Sequence, residues 1–208
     1  MDEVRVCQTP VFVSWGMRGC RPLTDEEIIA VLNHLEDPSR KRARALFLIG
    51  IRTGLKIGAI LNLMIADVSE NGRVRDRILV KQPTRLDPRA GYYMPLHPQT
   101  KEALQRYLDS RKGVSGYVFK GRFAYTHLSR IQAWELIRDA FREVNITGYQ
   151  GELGSMTLRK TYARLCFHAF DYDLLKTKYA LRHASILSTC RFLSFHERDL
   201  DTAIMAIR

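Results

Sequence analysis

The chain has 208 residues and a mass of 24.0 kDa, a size typical of one sizeable domain or of a domain with an arm. Its composition, 46% hydrophobic and 26% charged, is typical of a soluble, packed protein. No apolar run approaches the roughly 20 residues of a membrane span, and the N-terminus MDEVRVCQTP has no signal-peptide core, so we expect a cytoplasmic protein without a membrane partner. The four cysteines are scattered and form no C-x-x-C pair, which disfavours a metal site or a disulfide framework.

The charge balance is more informative than the size. Thirty-three Lys and Arg residues against 22 Asp and Glu residues give a net charge of +11 and a pI of about 9.7. Such an excess favours a polyanionic partner through phosphate neutralisation and counterion release. A basic but inert surface is the alternative at this point, whereas a membrane surface is disfavoured because the basic residues are spread along the chain.

The first half of the chain reads as an arm followed by three helices. Residues 1–22 are interrupted by proline and glycine and show no helical period, which predicts an extended arm. Thr24 and Glu27 form a T-x-x-E capping box before an apolar stripe. Ser39 is the predicted cap of a second helix, SRKRARALFLIGIRTG, which ends at Gly54. A short third helix, KIGAILNLM, leaves through the polar turn SENGR.

The second half changes period and then becomes helical again. RDRILVKQ and YYMPLH predict two strands joined by the turn-rich TRLDPRAG, and YVFK predicts a third strand. PQTKEALQRYLDSRKG predicts a helix with Pro at its start. SRIQAWELIRDAFREV predicts a helix with an apolar stripe that runs from Ile131 to Val144. Further helices are predicted in MTLRKTYARLCFHAF, DYDLLKTKYAL, ASILSTCRFLSF and ERDLDTAIMAIR, so the fold class is α+β, mainly α, with one small antiparallel sheet.

Four stretches carry a resemblance to a known family. They are TGLKIGAILNL (53–63), VKQ in the hairpin (80–82), MTLRKTYARL (156–165) and LRHASILSTCRF (181–192). Their order and spacing resemble the catalytic domain of tyrosine recombinases, the phage integrase family. The motifs of that family read T-G-x-R-x-x-E, a hairpin Lys, H-x-L-R-H-T and L-G-H-x-x-x-x-T-x-x-Y. The resemblance covers residues 23–195 and implies a tyrosine-recombinase-like helical fold, with 1–22 as an N-terminal arm and 196–208 as a C-terminal helix for oligomerisation or partner docking.

The chemistry implied by the resemblance explains these residue types. In the family a tyrosine hydroxyl attacks a DNA phosphate, and the protein becomes joined to one strand end. Two arginines bind the non-bridging oxygens, where negative charge builds up. The hairpin lysine protonates the leaving 5′ oxygen, and histidines assist the proton transfers. The resemblance implies no metal and no other cofactor.

This sequence departs from the family pattern at several positions. Lys56, where an arginine is expected, keeps a positive charge but loses the bidentate fork. Phe192 stands where the family has its nucleophilic tyrosine, and phenylalanine lacks the hydroxyl oxygen that attacks the phosphate. The other departures are Ala59 for an acidic residue, Met156 for the first histidine and Arg182 for a glycine, whereas Lys81, Arg159 and His183 match the pattern. A variant made to trap an active enzyme would alter one position only, so these accompanying changes argue against an engineered Phe192.

Four anion-seeking groups remain and predict a phosphate-binding site without a nucleophile. They are Lys56, Lys81, Arg159 and His183. Ordinary roles stay open for three of them: a solvated lysine at 56, a surface charge at 81 and a hydrogen-bonded core histidine at 183. Additional DNA-backbone contacts are expected from the basic start of the second helix and from the hairpin tip, namely Arg40, Lys41, Arg42 and Arg85.

Three functional hypotheses follow from these residues. The first is a protein that binds double-stranded DNA without cleaving it, as an accessory, architectural or regulatory factor of a bacterial mobile element, associated with the nucleoid and without a small-molecule substrate. The second is an active site-specific recombinase with atypical residues. The third is a protein–protein adaptor in a DNA transfer or transposition complex, which would self-associate or bind a partner protein through an apolar face formed by Leu200, Ile204 and Ile207.

Overall fold

The computed structural model describes residues 20–82, 85, 87, 90–111, 113, 115–123, 125–146, 153–193 and 205. The predictions for most of the N-terminal arm and for the helix at 196–208 therefore lie outside the described residues, apart from Met205. Within these ranges the chain forms nine α-helices and two separate two-stranded antiparallel sheets. The predicted mainly helical α+β class is confirmed.

The helices and strands follow one another largely in the predicted order. The hairpin formed by Arg77–Lys81 and Gly91–Pro95 is in the predicted place, and its register pairs Lys81 with Gly91. The helices are α1 Asp25–His34, α2 Lys41–Thr53, α3 Ile57–Leu61, α4 Ile65–Val68, α5 Pro98–Asp109, α6 Arg130–Glu143, α7 Thr157–Ala169, α8 Leu174–Leu181 and α9 Ile186–Leu193. The strands are β1 Ser69–Glu70, β2 Arg73–Val74, β3 Arg77–Lys81 and β4 Gly91–Pro95.

Local sequence signals predict the N-cap of α1 correctly but not that of α2. The capping box of α1 is confirmed: the Thr24 hydroxyl accepts from the Glu27 backbone N–H at 3.2 Å, and the Glu27 carboxylate accepts from the Thr24 N–H at 2.9 Å. The prediction that Ser39 caps the second helix is wrong. Asp37 accepts from the Ser39 N–H at 2.7 Å and begins a short 3₁₀ turn, and α2 starts only at Lys41. Proline at 38 favours this earlier start because its φ suits the first position of a helical turn.

Two predictions about strands need correction. YVFK forms no strand and takes part only in the isolated bridges Met64↔Tyr117 and Lys120↔His127. The polar segment SENGR (69–73), predicted as a turn, instead forms most of a second hairpin, β1–β2, in which each strand has two residues. Asn71 and Gly72 both have positive φ there, 50° and 76°, as the tight turns of two-residue hairpins require. Asn and Gly tolerate this conformation at little cost.

Helix α2 lies at the centre of the core. Every residue from Ala45 to Ile51 is buried, because α2 packs against α5, α6 and α7. A helix that is apolar on all sides is expected in such a position. On α6 the buried face consists of Ala133, Ile137, Ala140 and Phe141. Ile131, predicted as part of this stripe, is 71% exposed, although Ala133 in the same turn is buried. The two residues lie on opposite sides of the helix, because each residue turns it by about 100°.

Two glycines on α2 set its close approach to α7. A Cβ on Gly50 would lie 2.6 Å from Leu158 Cδ1, and a Cβ on Gly54 would overlap the Tyr162 ring. Gly54 also ends α2 in the left-handed conformation, with φ +63°. The absence of side chains at these positions lets the start of α7 lie directly against the end of α2.

We expect Gly54→Ala to lower the free energy of unfolding by about 2–4 kcal/mol, since a side chain there adds overpacking to left-handed strain. Urea denaturation measures this change. Gly72→Ala is the matched control: Gly72 has φ +76° with nothing within 4 Å of the added Cβ, so strain alone applies. The control should lose about 1 kcal/mol. Equal losses in the two variants would contradict the close α2–α7 packing.

Candidate phosphate-binding site

The candidate site lies where three chain segments meet. Lys56 is the N-cap of α3, Arg159 lies on the first turn of α7, and His183 lies in the turn between α8 and α9. Phe192 lies near the end of α9, which packs against both α7 and α8. Residues more than 100 positions apart in sequence are thus brought together by the packing of α2, α7, α8 and α9.

The Phe192 ring is surrounded by groups that bind anions. The Arg159 guanidinium carbon lies 5.7 Å from the ring centroid, and the Lys160 ammonium lies 5.9 Å from it. The His183 ring is 5.2 Å away, centroid to centroid, in an edge-to-face arrangement with an interplanar angle of 81°. Three nitrogen-bearing side chains therefore lie close to Phe192, which is itself partly exposed.

Arg159 is held by backbone carbonyls. Its Nη1 donates to the carbonyl of Gly54, and its Nη2 donates to the carbonyl of Leu181 at 2.7 Å. No carboxylate pairs with it among the described residues, and burial lowers the pKa of its guanidinium. Arginine carries five N–H donors, so a guanidinium fixed in this way keeps donors for an anion. A half-buried cation without a carboxylate partner is suited to a phosphate.

The environment of His183 shows that the three side chains converge. Burial lowers the pKa of His183 first, and the positive charges of Arg159 and Lys56 lower it further. Nδ1 of His183 forms a hydrogen bond of 3.1 Å with the Thr189 hydroxyl, which orients the ring. The side chain of Lys56 is exposed and has no hydrogen-bond or ion-pair partner in the part of the chain that the structure describes.

Lys160, Arg182 and Tyr92 also lie at the site, although none of them is predicted as a ligand or contact from the sequence. Lys160 follows Arg159 directly and occupies the second histidine of H-x-L-R-H-T, so the motif itself held the signal. The Arg182 guanidinium stacks on the Tyr92 ring at 3.4 Å and joins the end of α8 to β4. Arg182 has φ 53°, a left-handed conformation that a glycine would adopt more readily. No local pattern in the sequence indicates the Arg182–Tyr92 pair.

The structure does not group Lys81 with the residues around Phe192. Its ammonium lies 2.7 Å from Oδ1 of Asp67, a carboxylate that is only 6% exposed. The other oxygen of Asp67 accepts from the Met64 N–H at 3.0 Å. Met156 is the N-cap of α7, partly buried and without a side-chain capping bond, and its thioether supplies no donor.

The four residues predicted to contact the DNA backbone outside the site differ in whether their side chains have partners within the protein. Arg40 forms a hydrogen bond with His34, and Arg42 donates to the carbonyl of Lys120. Lys41 has no polar partner within the described ranges, and Arg85 is exposed on the hairpin tip, most of which lies outside them.

The described residues contain no group of three or more His, Cys, Asp or Glu side chains that would hold a metal ion. None of the described helices combines the length and apolar character that crossing a bilayer would require. Arg159 and Lys160, which lie near Phe192, carry positive charge and therefore bind anions and not metal cations.

Solved structures with the same fold are tyrosine recombinases. XerA recombinase matches with a TM-score of 0.69 and 20% identity over 91% of this chain and 67% of that chain. XerH recombinase, bound to the palindromic difH substrate in a post-cleavage complex, matches with a TM-score of 0.68 and 21% identity over 89% of this chain and 53% of that chain. The Tn1549 transposon integrase in complex with circular-intermediate DNA matches with a TM-score of 0.64 and 17% identity over 91% of this chain and 66% of that chain.

These matches define the class of fold, and the sequence gives the family. The phage integrase family matches residues 21–196, so the chain belongs to that family. A probable integrase/recombinase of Bacillus subtilis (strain 168), YoeC, is 27% identical over 157 residues, which cover 76% of this chain and 80% of that protein. The resemblance predicted from the four motifs is confirmed. The chain spans about two thirds of the XerA chain and about half of the XerH chain.

We expect Lys56→Met to raise the pKa of His183, because the variant removes one of the positive charges that disfavour the imidazolium. A pH titration of the histidine ring resonances by NMR measures the shift. Lys41→Met is the matched control: it removes an equal charge at the start of α2, and Lys41 is not among the groups that act on His183. An unchanged His183 pKa in Lys56→Met would show that residues 56 and 183 do not share a site.

Proposed function

We propose that this member of the phage integrase family binds double-stranded DNA without cleaving it and serves as an accessory, architectural or regulatory factor of a bacterial mobile element. The proposal rests on one observation: Arg159, Lys160 and His183 all lie close to the Phe192 ring. The groups that bind a phosphate are retained, whereas the oxygen that would attack it is missing.

Double-stranded DNA is the partner that the charges favour. The net charge of +11 provides long-range attraction to a polyanion, and Lys56 provides an exposed cation beside the site. The XerH and Tn1549 integrase structures are complexes with DNA, which supports the same partner here. Contacts of this type position a protein on a duplex without reading its sequence.

Among the described residues, no other hydroxyl near Arg159 is suited to replace the missing nucleophile. The phenols of Tyr92 and Tyr162 both sense the Arg159 charge, yet burial raises the pKa of each of them. A raised pKa opposes the deprotonation that attack on phosphorus requires. The Thr189 hydroxyl is buried and bonded to His183. These environments favour the non-cleaving hypothesis over an active recombinase with atypical residues.

The proposal also assigns roles to the chain ends and a place in the cell. Residues 1–22 would serve as an arm, 23–195 as the DNA-binding domain, and 196–208 as a helix for self-association or partner docking. The protein would act in the bacterial cytoplasm on nucleoid DNA. The adaptor hypothesis, in which the C-terminal helix is the main interaction surface, concerns residues outside the described ranges.

We expect the double variant Lys56→Ala/Lys160→Ala to weaken duplex binding and to reduce the slope of log K against log salt by about 2, one for each lost phosphate contact. Fluorescence anisotropy with a labelled duplex at several salt concentrations measures both quantities. Lys101→Ala is the matched control, because Lys101 lies on α5 and its ammonium is already paired with the Asp76 carboxylate at 2.6 Å. Wild-type binding that does not weaken as salt rises would contradict the proposal.

We expect wild-type protein to form no covalent adduct with a nicked suicide substrate that carries a recombination site of the same mobile element. Phe192→Tyr should form the adduct slowly, and Phe192→Tyr/Lys56→Arg about 10²–10³-fold faster, since the arginine fork restores a phosphate donor. Denaturing gel electrophoresis detects the adduct. An adduct with wild-type protein would favour the active recombinase instead.

A further inference from the structure

A short loop between α5 and α6 forms a closed, hydrogen-bonded structure. The Gly121 N–H donates to the Thr126 carbonyl at 2.8 Å, and the Leu128 N–H donates to the Phe119 carbonyl at 2.7 Å. The Thr126 hydroxyl donates to the Phe123 carbonyl at 2.8 Å. Phe119 and Leu128 are buried and anchor the base of the loop in the core. We call the described residues of this loop, 120–123 and 125–128, the aromatic loop.

Two backbone features show that the aromatic loop has a specific shape. A Cβ on Gly121 would lie 2.6 Å from the His127 carbonyl oxygen, so a larger residue would force the loop open. Tyr125 has φ +64°, a left-handed conformation that is uncommon for an aromatic residue. Such conformations persist where the surrounding structure imposes them, and they are frequent at ligand-binding positions.

The tip of the aromatic loop presents two aromatic rings to solvent. Phe123 is 70% exposed and Tyr125 is 96% exposed. Neither ring packs against another ring in the part of the chain that the structure describes. Two neighbouring exposed aromatic side chains on an ordered loop are typical of a surface that a partner covers.

The charges around the rings indicate the chemistry of that partner. No acidic residue occurs between Asp109 and Glu135. Lys120, Arg122 and Arg130 lie in this interval, and all three are exposed. Exposed aromatic rings among cations are the combination that proteins use to stack on bases while binding the flanking phosphates. A protein partner with an apolar surface gives no reason for the absence of acidic residues.

The aromatic loop lies beside the candidate phosphate-binding site. Arg42, near the start of α2, donates to the carbonyl of Lys120. At the other end of the loop, Nη2 of Arg130 lies 3.0 Å from the position of a Cβ on Gly58, in the first turn of α3. Lys56 is the N-cap of that same helix. Arg42, Arg130 and Lys56 therefore form a basic surface from the start of α2 to the start of α3, next to the base of the aromatic loop.

We propose that the aromatic loop is a second DNA contact, in which Phe123 and Tyr125 stack on unpaired or unstacked bases while Lys120, Arg122 and Arg130 bind the adjacent phosphates. This inference rests on the proposed function, since it assumes that DNA lies along the basic surface. It adds that the preferred DNA is locally opened or kinked, as it is for proteins that insert apolar side chains between base steps.

The test compares a fully paired duplex with the same duplex containing a central mismatched bubble. Wild-type protein should bind the bubble about tenfold or more tightly than the paired duplex, which is the effect of one stacked base. Phe123→Ala/Tyr125→Ala should remove this preference, with a smaller loss of paired-duplex affinity, and should leave the salt dependence unchanged because the cations are kept. Ile29→Ala, which shortens an exposed apolar side chain on α1, is the matched control and should keep the preference.

The outcomes separate the two proposals. If wild-type protein shows salt-dependent duplex binding but no preference for the bubble, the stacking role is overturned and the DNA-binding function stands. If it binds neither DNA, both fail. A variant Phe123→Leu/Tyr125→Leu that keeps the bubble preference overturns stacking in favour of simple apolar burial. Loss of self-association in Phe123→Ala/Tyr125→Ala, with bubble preference unchanged, would identify the loop as a contact between two copies of the chain.

Discussion

The site depends on the two hydrogen bonds that Arg159 donates to backbone carbonyls. One carbonyl belongs to Gly54 at the end of α2, and the other belongs to Leu181 at the end of α8. The bonds fix a cation at the junction of three helices without neutralising it. They also satisfy carbonyl groups that a helix end leaves without an intrahelical partner. The fold and the proposed anion site therefore rely on the same side chain, and Gly54 permits the close approach that the first of these bonds requires.

The charges around Phe192 are positive, as the proposed phosphate site requires. Lys160 and Arg159 lie near the ring, and Lys56 acts on His183 from the start of α3. Lys81, in contrast, is held by the buried Asp67. A lysine whose charge is balanced in this way contributes less to binding an external anion than an unpaired one. In the proposed site, Arg159, Lys160 and Lys56 are therefore available to a phosphate, whereas the charge of Lys81 is balanced by Asp67.

Local patterns predict most of the elements and part of the site. The α1 capping box, the β3–β4 hairpin and the helix that carries Arg159 follow from periodicity and turn residues, because these signals lie within a few positions of one another. The composition of YVFK predicts a strand. The segment has no neighbouring strand among the described residues, and its buried residues Val118 and Phe119 alone do not create a ladder. Ile131, predicted as part of the apolar stripe of α6, is exposed because it lies on the side of the helix opposite the buried Ala133 and Ala140.

The sequence by itself determined the excess of positive charge, the order of the helices and the absence of a hydroxyl at Phe192, because these are properties of single residues or of short stretches. Only the tertiary structure decided which cations meet. The partner of Lys81 lies on α4, that of Arg182 on β4, and those of Arg159 at the ends of α2 and α8. Such partners are separated by many residues in the chain, and their pairing follows from how closely the helices pack and at which residues they end.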